Sequence, residues 1–379
     1  MTRWRLILLK LHWLLGMTLG ASLSFMALSG VTMSFEDEIM QALSPQMTVS
    51  PPQGGEPMSA AAMIAALRQQ RPGERLMSLQ IEQQDDRAWT AAFQQGKGQR
   101  NQRVLVNPYS GQILGEATGA AFFATVRNLH RFLSPEGDNA IGRTITGASA
   151  VSLIFFALSG LWLRWTAGSR TAREWLRPEF RLSGRALYRM LHQVAGTWLT
   201  VLYLVSALSG LWWSSQWYRQ SVTWLLGSTP AEVVKKPLAV KKMAVKPAEP
   251  DWDRIWQLVV QYYGSQYQSA LLFLPAPGKA IRVRVLPLDA PHDRALDELS
   301  INPRTLNVTR QMLYRSLPTG ERILTDMDPI HTGALFGIPG RIAITISSLC
   351  MPLFFVTGLL MYWKRRQRRN NPASSEEHL

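Results

Sequence analysis

The fold is decided by the stretch Leu11-His12-Trp13-Leu14-Leu15-Gly16, which returns later in the chain as Leu191-His192-Gln193-Val194-Ala195-Gly196. Both copies continue through an apolar segment to the same ending, Ala-Leu-Ser-Gly, at residues 27–30 and 207–210. The histidine precedes the final glycine by 18 residues in each copy. An imidazole in a segment able to cross a bilayer is a candidate functional group, because polar side chains are costly there. The repeat therefore predicts two equivalent membrane helices that each carry a functional histidine.

Four segments of the 379-residue chain are long and apolar enough to span a membrane, at residues 6–35, 141–165, 191–213 and 338–363. Mean hydropathy over the whole chain is only −0.04, so polar domains must separate these spans. The predicted fold class is a polytopic α-helical membrane protein with four transmembrane helices in two parallel pseudo-repeats. Each repeat carries a small α+β domain outside the membrane.

The basic residues indicate topology. Lys and Arg exceed Asp and Glu by 41 to 26, but the excess is concentrated before the first span, between the second and third, and after the fourth. Positive segments beside spans face the cytoplasm. We therefore expect both termini to be cytoplasmic, in a membrane protein whose partner is the lipid bilayer and not nucleic acid. The first span resembles a secretory signal, but the third repeats its pattern inside the chain, so we expect no cleavage.

The resulting domain boundaries follow the spans. They are residues 1–35 (first span), 36–140 (periplasmic domain 1 with the His130 helix), 141–165 (second span), 166–190 (cytoplasmic basic loop), 191–213 (third span), 214–337 (periplasmic domain 2), 338–363 (fourth span) and 364–379 (cytoplasmic basic tail). Residues 44–57 and 229–250 are predicted linkers, because they are rich in proline.

Each periplasmic domain shows one helix followed by three strands. The first has a helix at 59–70 and strands at 76–83, 88–94 and 103–106, and the second has a helix at 252–263 and strands at 269–274, 280–287 and 299–301. A repeat of span, domain and span predicts two-fold pseudosymmetry about an axis along the membrane normal.

Two more histidines recur at matching positions, His130 ahead of the second span and His331 ahead of the fourth. Pseudosymmetry places His12 with His192 near the cytoplasmic boundary, and His130 with His331 near the opposite boundary. Two imidazoles at equal depth on facing helices are what a six-coordinate haem requires. We therefore predict two b-type haems whose irons these four histidines bind. The alternative is that the histidines are interfacial residues without a metal.

Small residues recur with the histidines. Gly16 and Gly196 lie one helical turn beyond His12 and His192, where a missing side chain would let a flat macrocycle approach. Each span also contains a Ser-Gly or Thr-Gly, ending at Gly30, Gly160, Gly210 and Gly358. Gly30 and Gly210 lie about 27 Å along their helices from the first pair of histidines, at the depth of the outer haem, and the other two return to the inner one. Close helix packing is the alternative explanation.

Other candidate residues are weaker. Arg143 and Arg341 are repeat-matched, and either pair with haem propionates or extend to the interface as flanking residues. His292 and His378 have no repeat partner, so we assign them no metal role. Cys350 is the only cysteine, which excludes an intramolecular disulfide.

These motifs resemble the PepSY-associated transmembrane-helix family, also called PiuB-like iron-regulated membrane proteins. The resemblance rests on the two His-to-Gly stretches, on Leu129-His130-Arg131 and on the Ser-Gly span ends, and it covers nearly the whole chain. The turns Val106-Asn107-Pro108-Tyr109-Ser110-Gly111 and Ile301-Asn302-Pro303-Arg304-Thr305 resemble the end of the PepSY strand. The second turn departs from the pattern, because Leu306 takes the place of Gly111.

The resemblance, which is greatest to ferrioxamine-linked members, implies a dihaem ferric-siderophore reductase that releases iron as Fe(II) in the periplasm. Some relatives continue into a flavin domain, whereas this sequence ends soon after Pro372, so we expect electrons from quinol or from a separate cytoplasmic or membrane donor. Arginines near the outer histidines either help to dock the substrate or form a solvated face: Arg127, Arg131, Arg310, Arg315 and Arg322.

Two other functions compete with the reductase. A haem-free PepSY module on a membrane anchor would bind or regulate an envelope peptidase or another protein, but an anchor has no need of four repeat-matched histidines. A siderophore permease is less favoured, because the four spans contain no unpaired acidic residue to form a transport path.

Overall fold

A computed structural model describes residues 3–94, 96, 101–168, 171–227, 249–276 and 278–370, with side chains to residue 367. The chain divides into two compact units. The span unit comprises Met1–Phe35, Phe122–Val222 and Met327–Leu379, and the sheet unit comprises Glu36–Ala121 and Thr223–Asp326. The predicted linker at 229–250 and the predicted tail at 364–379 lie mostly or partly outside the described residues.

Along the described chain, two runs of four strands separate three groups of helices. The helices are α1 (Arg3–Met33), α2 (Glu36–Leu43), α3 (Ala60–Gln70), α4 (Ala120–Phe132), α5 (Ala140–Trp165), α6 (Ala172–Leu176), α7 (Gly184–Ser214), α8 (Gln216–Leu225), α9 (Trp252–Tyr263), α10 (Thr319–Thr325), α11 (Met327–Thr332), α12 (Gly337–Leu349) and α13 (Met351–Asn370). The strands are β1 (Leu76–Glu82), β2 (Trp89–Phe93), β3 (Gln102–Val106), β4 (Ile113–Gly115), β5 (Tyr267–Phe273), β6 (Ile281–Pro287), β7 (Asp297–Ile301) and β8 (Val308–Met312).

Within the described residues, four helical segments are long and apolar enough to cross a membrane: Arg3–Met33, Ala140–Trp165, Gly184–Ser214 and Ala334–Gln367. Each overlaps one predicted span, which confirms the prediction of a polytopic helical membrane protein. The third begins earlier than predicted, at Gly184, because a helix continues through polar residues that hydropathy alone excludes from a span. The fourth combines α12 and α13, which meet at Cys350.

The span unit buries little of its apolar surface within itself. Its core contains Leu23, Leu153, Tyr203, Ala207 and Met351. By contrast, large apolar side chains such as Leu158, Val201 and Ile346 are more than half exposed. Contiguous exposed apolar surface of this kind marks contact with an apolar environment, which for helices of this length is the bilayer.

The sheet unit is organised by one antiparallel sheet of eight strands in the order β4-β3-β2-β1-β5-β6-β7-β8. Buried and less buried residues alternate along strands such as β6, where Ile281, Val283 and Val285 are fully buried. Successive side chains of a strand point to opposite faces, so this alternation gives the sheet one apolar face. Helices α3 and α9 contribute residues to the same core, including Ile64 and Ile255.

The structure differs from the prediction of two separate small domains. Strand β1 of the first segment pairs with strand β5 of the second, with Gln80 opposite Leu271 and Ile81 opposite Ala270. Two predicted domains therefore form halves of one sheet, and the His130 helix belongs mainly to the span unit. The physical reason is that an unpaired β1 edge would expose backbone groups and apolar side chains, which pairing with β5 satisfies.

Each half of the sheet also has a fourth strand that sequence patterns did not predict. Strand β4 has only three residues, and strand β8 is largely exposed, so neither shows the apolar alternation from which strands are recognised. Both lie at the outer edges of the sheet, where short or polar strands are favoured.

The two turns that resemble the PepSY strand ending have the same hydrogen bonds despite their different sequences. In the first, the amide of Gly111 donates to the carbonyl of Asn107 over 2.9 Å, and in the second Leu306 donates to Asn302 over 2.9 Å. Gly111 has φ +70°, and Leu306 has φ +55°. The left-handed backbone is thus retained at Leu306, although it disfavours side chains with a Cβ, and contact of Leu306 with the sheet core offsets that cost.

Candidate functional site

The four repeat-matched histidines lie in the span unit, on four different helices. His12 is on α1, His192 on α7, His130 on α4 and His331 on α11. The helices bring them together as two pairs. The first imidazole pair, His12 and His192, has ring centroids 6.3 Å apart. The second imidazole pair, His130 and His331, also has centroids 6.3 Å apart.

This separation can be compared with the chemistry of metal binding. A metal–imidazole bond is about 2.0 Å long and the ring centroid lies about 1.1 Å behind the bonding nitrogen, so two imidazoles on opposite sides of one iron have centroids about 6.2 Å apart. Within the described residues, no group of three or more His, Cys, Asp or Glu side chains is arranged to hold a metal ion. Two imidazoles alone leave a metal incompletely coordinated, whereas a porphyrin supplies four further nitrogens. The pairs therefore fit haem better than a free metal ion.

At the first pair, each imidazole contacts one hydroxyl through its Nδ1 atom. Nδ1 of His12 lies 2.8 Å from Oγ of Ser159, and Nδ1 of His192 lies 2.9 Å from Oγ1 of Thr357. These hydroxyls belong to the Ser-Gly of the second span and the Thr-Gly of the fourth. They are the sole hydrogen-bond partners of both rings among the described residues.

At the second pair, each Nδ1 has two partners. Nδ1 of His130 lies 2.8 Å from the carbonyl of Met26 and 3.1 Å from Oγ of Ser29. Nδ1 of His331 lies 3.1 Å from the carbonyl of Ser206 and 3.0 Å from Oγ of Ser209. A carbonyl only accepts, so Nδ1 of each ring must carry the proton and donate it.

The same tautomer follows at His192. The hydroxyl of Thr357 donates to the carbonyl of Leu353 over 2.6 Å, so its oxygen is left to accept from the imidazole. A neutral imidazole with its proton on Nδ1 presents the lone pair on Nε2, which is the form that binds a metal. Nε2 of His12, His130, His192 and His331 makes no hydrogen bond to any described residue, which leaves this nitrogen available for iron.

Three of the span glycines lie directly against the imidazoles. A Cβ added at Gly160 would lie 3.7 Å from Cε1 of His12, while one at Gly30 or Gly210 would lie 3.4 Å or 3.3 Å from Cε1 of its histidine. The structure thus places Gly160 with the first pair, and Gly30 and Gly210 with the second. A Cβ at Gly210 would press on its ring, whereas one at Gly160 would make an ordinary contact.

The other three predicted glycines, Gly16, Gly196 and Gly358, do not lie directly against an imidazole. A Cβ at Gly16 or Gly358 would meet no described atom within 4 Å, and one at Gly196 would lie 3.5 Å from the ring of Phe354. Gly196 therefore adjoins an aromatic side chain that packs on the first pair, since the Phe354 and His192 centroids are 5.1 Å apart. Phe156 packs on His12 in the same way, with centroids 5.0 Å apart.

Burial favours the neutral form of both rings of the second pair. Burial lowers the pKa of His130 to about 4, and repulsion from His331 contributes to this shift. Burial also lowers the pKa of His331. Iron binds the neutral form of an imidazole, so the surroundings of these rings favour the ligand form before any metal is bound.

The repeat-matched arginines lie at the depth of the second pair. Arg143 pairs with Asp138, its guanidinium lies 5.6 Å from the ring of Phe132, and its buried Nε has no hydrogen-bond partner among the described residues. Arg341 donates from Nη2 to the carbonyl of Ser34 over 2.6 Å. Ser34 is one turn beyond Gly30, and Phe132 is two residues beyond the histidine of α4.

The candidate docking arginines are divided between the two units. Arg127 and Arg131 are on α4 of the span unit, whereas Arg310, Arg315 and Arg322 belong to the sheet unit. Arg315 pairs with Asp289 over 2.6 Å, and Arg310 is exposed on β8.

The two unmatched histidines are not at either pair. His292 is buried in the sheet unit, where its Nε2 lies 3.2 Å from the hydroxyl of Tyr314 and 3.2 Å from Oδ1 of Asp326. His378 lies outside the described residues.

Sequence reasoning missed the hydroxyls. It noted the Ser-Gly and Thr-Gly dipeptides only for their glycines, although Ser29, Ser159, Ser209 and Thr357 each bind an Nδ1 atom. The signal was present, because a hydroxyl residue precedes the glycine in every span.

The fold and the paired imidazoles define the class of protein: a polytopic helical membrane protein with two histidine pairs among its helices and an extramembrane β-sheet unit. The family model for the PepSY-associated TM region matches residues 9–365. The chain therefore belongs to the PepSY-associated transmembrane family, which confirms the resemblance seen in its sequence. Comparison with curated proteins finds no match.

Proposed function

We propose that this protein is a dihaem b-type oxidoreductase that passes electrons across the bacterial inner membrane to a ferric siderophore in the periplasm. The observation that carries the proposal is the presence of two imidazole pairs, each with centroids 6.3 Å apart. The second pair contacts α1 at residues 26–30, 14 to 18 residues beyond His12. That interval corresponds to about 21–27 Å of helix, close to the thickness of the bilayer core.

The chain's own residues would hold the haems. When bound, each b-type haem supplies a one-electron carrier near one face of the membrane. His12 and His192 would hold the inner haem, and His130 and His331 would hold the outer haem. Gly16 and Gly196 would border the inner haem on the ligand-bearing helices.

The halves of the span unit would be related by a pseudo-two-fold axis along the membrane normal. Equivalent partners support this arrangement: Ser159 and Thr357 serve the first pair, and Ser29 and Ser209 serve the second. Such an axis would place the two histidines of each pair at equal depth in the membrane.

The topology follows from the basic residues. We place both termini and residues 166–190 in the cytoplasm, because positive segments flank the spans there. The first pair is then nearer the cytoplasm, where quinol or a separate electron donor would act. The second pair and the sheet unit would be on the periplasmic side. Arg143 and Arg341 are the proposed partners of the propionates of the outer haem.

The proposed substrate is a ferric siderophore of the ferrioxamine type, the class implied by the resemblance of the sequence to ferrioxamine-linked members of the family. Hard oxygen ligands favour Fe(III) over Fe(II). One electron added to the chelate therefore yields Fe(II), which the siderophore holds more weakly and releases. Exposed arginines such as Arg310 are candidate docking residues on the sheet unit.

Sided vesicles test this proposal. Purified protein is reconstituted in vesicles with a reduced quinone analogue inside, and ferrioxamine with a membrane-impermeant Fe(II)-trapping dye outside. We expect dye colour to develop only with the protein present, and His12→Ala or His331→Ala to abolish it. His378→Gln provides a matched histidine substitution that should retain the activity. Equal rates for the His12→Ala, His331→Ala and parent proteins would contradict the proposal.

A further inference from the structure

The two imidazole pairs differ in the number of groups that hold each ring. A ring of the second pair contacts both a hydroxyl and a backbone carbonyl, as His331 does with Ser209 and Ser206. A ring of the first pair contacts one hydroxyl alone, as His12 does with Ser159. The carbonyl belongs to the backbone of a spanning helix, so no side-chain substitution removes it.

We propose that Ser159 and Thr357 are positioning residues that control the orientation and the redox potential of the inner haem, while the outer haem has backbone acceptors that make its hydroxyls dispensable. The inference deepens the proposed function and rests on it. It assigns Ser159 and Thr357 a role, and it distinguishes two sites that the sequence repeat treats as equivalent.

The physical basis is the second partner of a metal-bound imidazole. An acceptor at Nδ1 fixes the tautomer and the ring orientation, and it increases the electron density that the ring gives to the metal. More donation stabilises ferric over ferrous iron and lowers the potential of the haem. With its single acceptor removed, an inner ring is left with an unsatisfied N–H and freedom to rotate. An outer ring would still donate to a carbonyl.

The four hydroxyl residues permit a matched comparison. Ser159→Ala removes the sole partner of His12, whereas Ser209→Ala leaves His331 its contact with the Ser206 carbonyl over 3.1 Å. Both substitutions delete one oxygen atom from a buried serine at the same place in a Ser-Gly dipeptide. Ser159→Thr keeps a hydroxyl at the position and serves as the rescue variant.

Potentiometric titration and haem release to an acceptor apoprotein measure the two effects in full-length protein. We expect Ser159→Ala to speed release of the inner haem about 10–100-fold, the usual effect of losing such a partner, and to raise its potential. A tenfold loss of ferric preference corresponds to about 59 mV for one electron. Ser209→Ala is expected to change release of the outer haem by less than about threefold, because its carbonyl partner remains.

A purely structural role would destabilise the apoprotein without moving a potential, so apoprotein melting is measured in parallel. Ser159→Thr should restore both the potential and the release rate. If the parent protein binds two haems and Ser159→Ala leaves the inner potential and release rate unchanged, this inference fails while the proposed function stands. If the parent binds no haem, both fail. Equal shifts in Ser159→Ala and Ser209→Ala would also refute the inference.

Discussion

Gly210 tests how closely the chain is fitted around the second imidazole pair. A Cβ added at this position would lie 3.3 Å from Cε1 of His331 and 3.7 Å from its Nδ1. Carbon atoms in contact prefer separations of about 3.5–4.0 Å. Gly210→Ala therefore requires the ring to move by roughly 0.2 Å, whereas a valine methyl, about 1.5 Å beyond Cβ, requires a movement of roughly 1 Å or more.

Whether each variant keeps the outer haem depends on how far a metal–ligand distance can change before the bond is lost. Metal–ligand distances are held to within about 0.2 Å, so a ring displaced by 1 Å can no longer bind. The centroids of His130 and His331 are 6.3 Å apart. Two imidazoles that bind one iron have centroids about 6.2 Å apart, so the pair has no spare distance to accommodate a displaced ring. We expect Gly210→Ala to retain about two haems per chain, and Gly210→Val to fall to about one.

The assay is the haem-to-protein ratio of the purified variants, measured as the pyridine haemochrome. In a His12→Ala background only the outer haem should remain, and Gly210→Val should then remove it. Gly160→Ala is the matched control, because its Cβ would lie 3.7 Å from Cε1 of His12, an ordinary contact. Two haems retained by Gly210→Val would refute the reasoning, and equal losses in the alanine and valine variants would show that helix packing is responsible.

Gly16→Leu is expected to lower occupancy of the inner haem, because the leucine side chain would extend into the space proposed for the macrocycle; haem content measures it. No described atom lies within 4 Å of a Cβ added at Gly16, so a small side chain would fit there without the haem. Cysteines replacing Glu82 and Ser269, which face each other across the β1–β5 pair, should form a disulfide on mild oxidation, because opposed antiparallel residues lie about 4.5–5.5 Å apart; peptide mass spectrometry detects it. Tyr314→Phe should cost about 1–3 kcal/mol of stability in thermal unfolding, because the buried carboxylate of Asp326 loses a hydrogen-bond donor.

Each of these variants has a control. Full haem content in Gly16→Leu would show that Gly16 is not needed to leave room for a haem. The crosslink is measured in protein that also carries Cys350→Ser. The control replaces Glu82 and Ser300 with cysteine; Ser300 is on β7, three strands from β1 and about 14 Å away. If this distant pair oxidised as fast as the opposed pair, the sheet order would be contradicted. Tyr262→Phe, at a half-exposed tyrosine, should leave the unfolding temperature unchanged. If Tyr314→Phe and Tyr262→Phe lowered the unfolding temperature equally, the buried hydrogen bonds of Tyr314 would not be the cause of the loss.

The spans and their histidines could be predicted from the sequence alone. Apolar length identifies a membrane helix directly, and the recurrence of His12 at His192 with the same interval to the final glycine pairs the halves without any structure. The placement of Gly30 and Gly210 beside the second pair also follows from that interval, because a helix rises by a constant amount per residue.

The sheet and the hydroxyl contacts were not accessible in the same way. Pairing of β1 with β5 joins residues about 190 positions apart, and no local pattern specifies which edge strand meets which. The hydrogen bonds of Ser159 and Thr357 depend on how neighbouring helices are rotated. Hydropathy places a helix in the membrane but does not fix its rotation, which packing against other helices determines.

The most direct test of haem binding by the four histidines is the visible spectrum of the detergent-purified protein, oxidised and dithionite-reduced, together with its haem-to-protein ratio. We predict a b-type spectrum with about two haems per chain, halved by His12→Ala or by His331→Ala. A colourless protein that binds no added haem would contradict this prediction, and it would favour a haem-free PepSY module that binds another envelope protein.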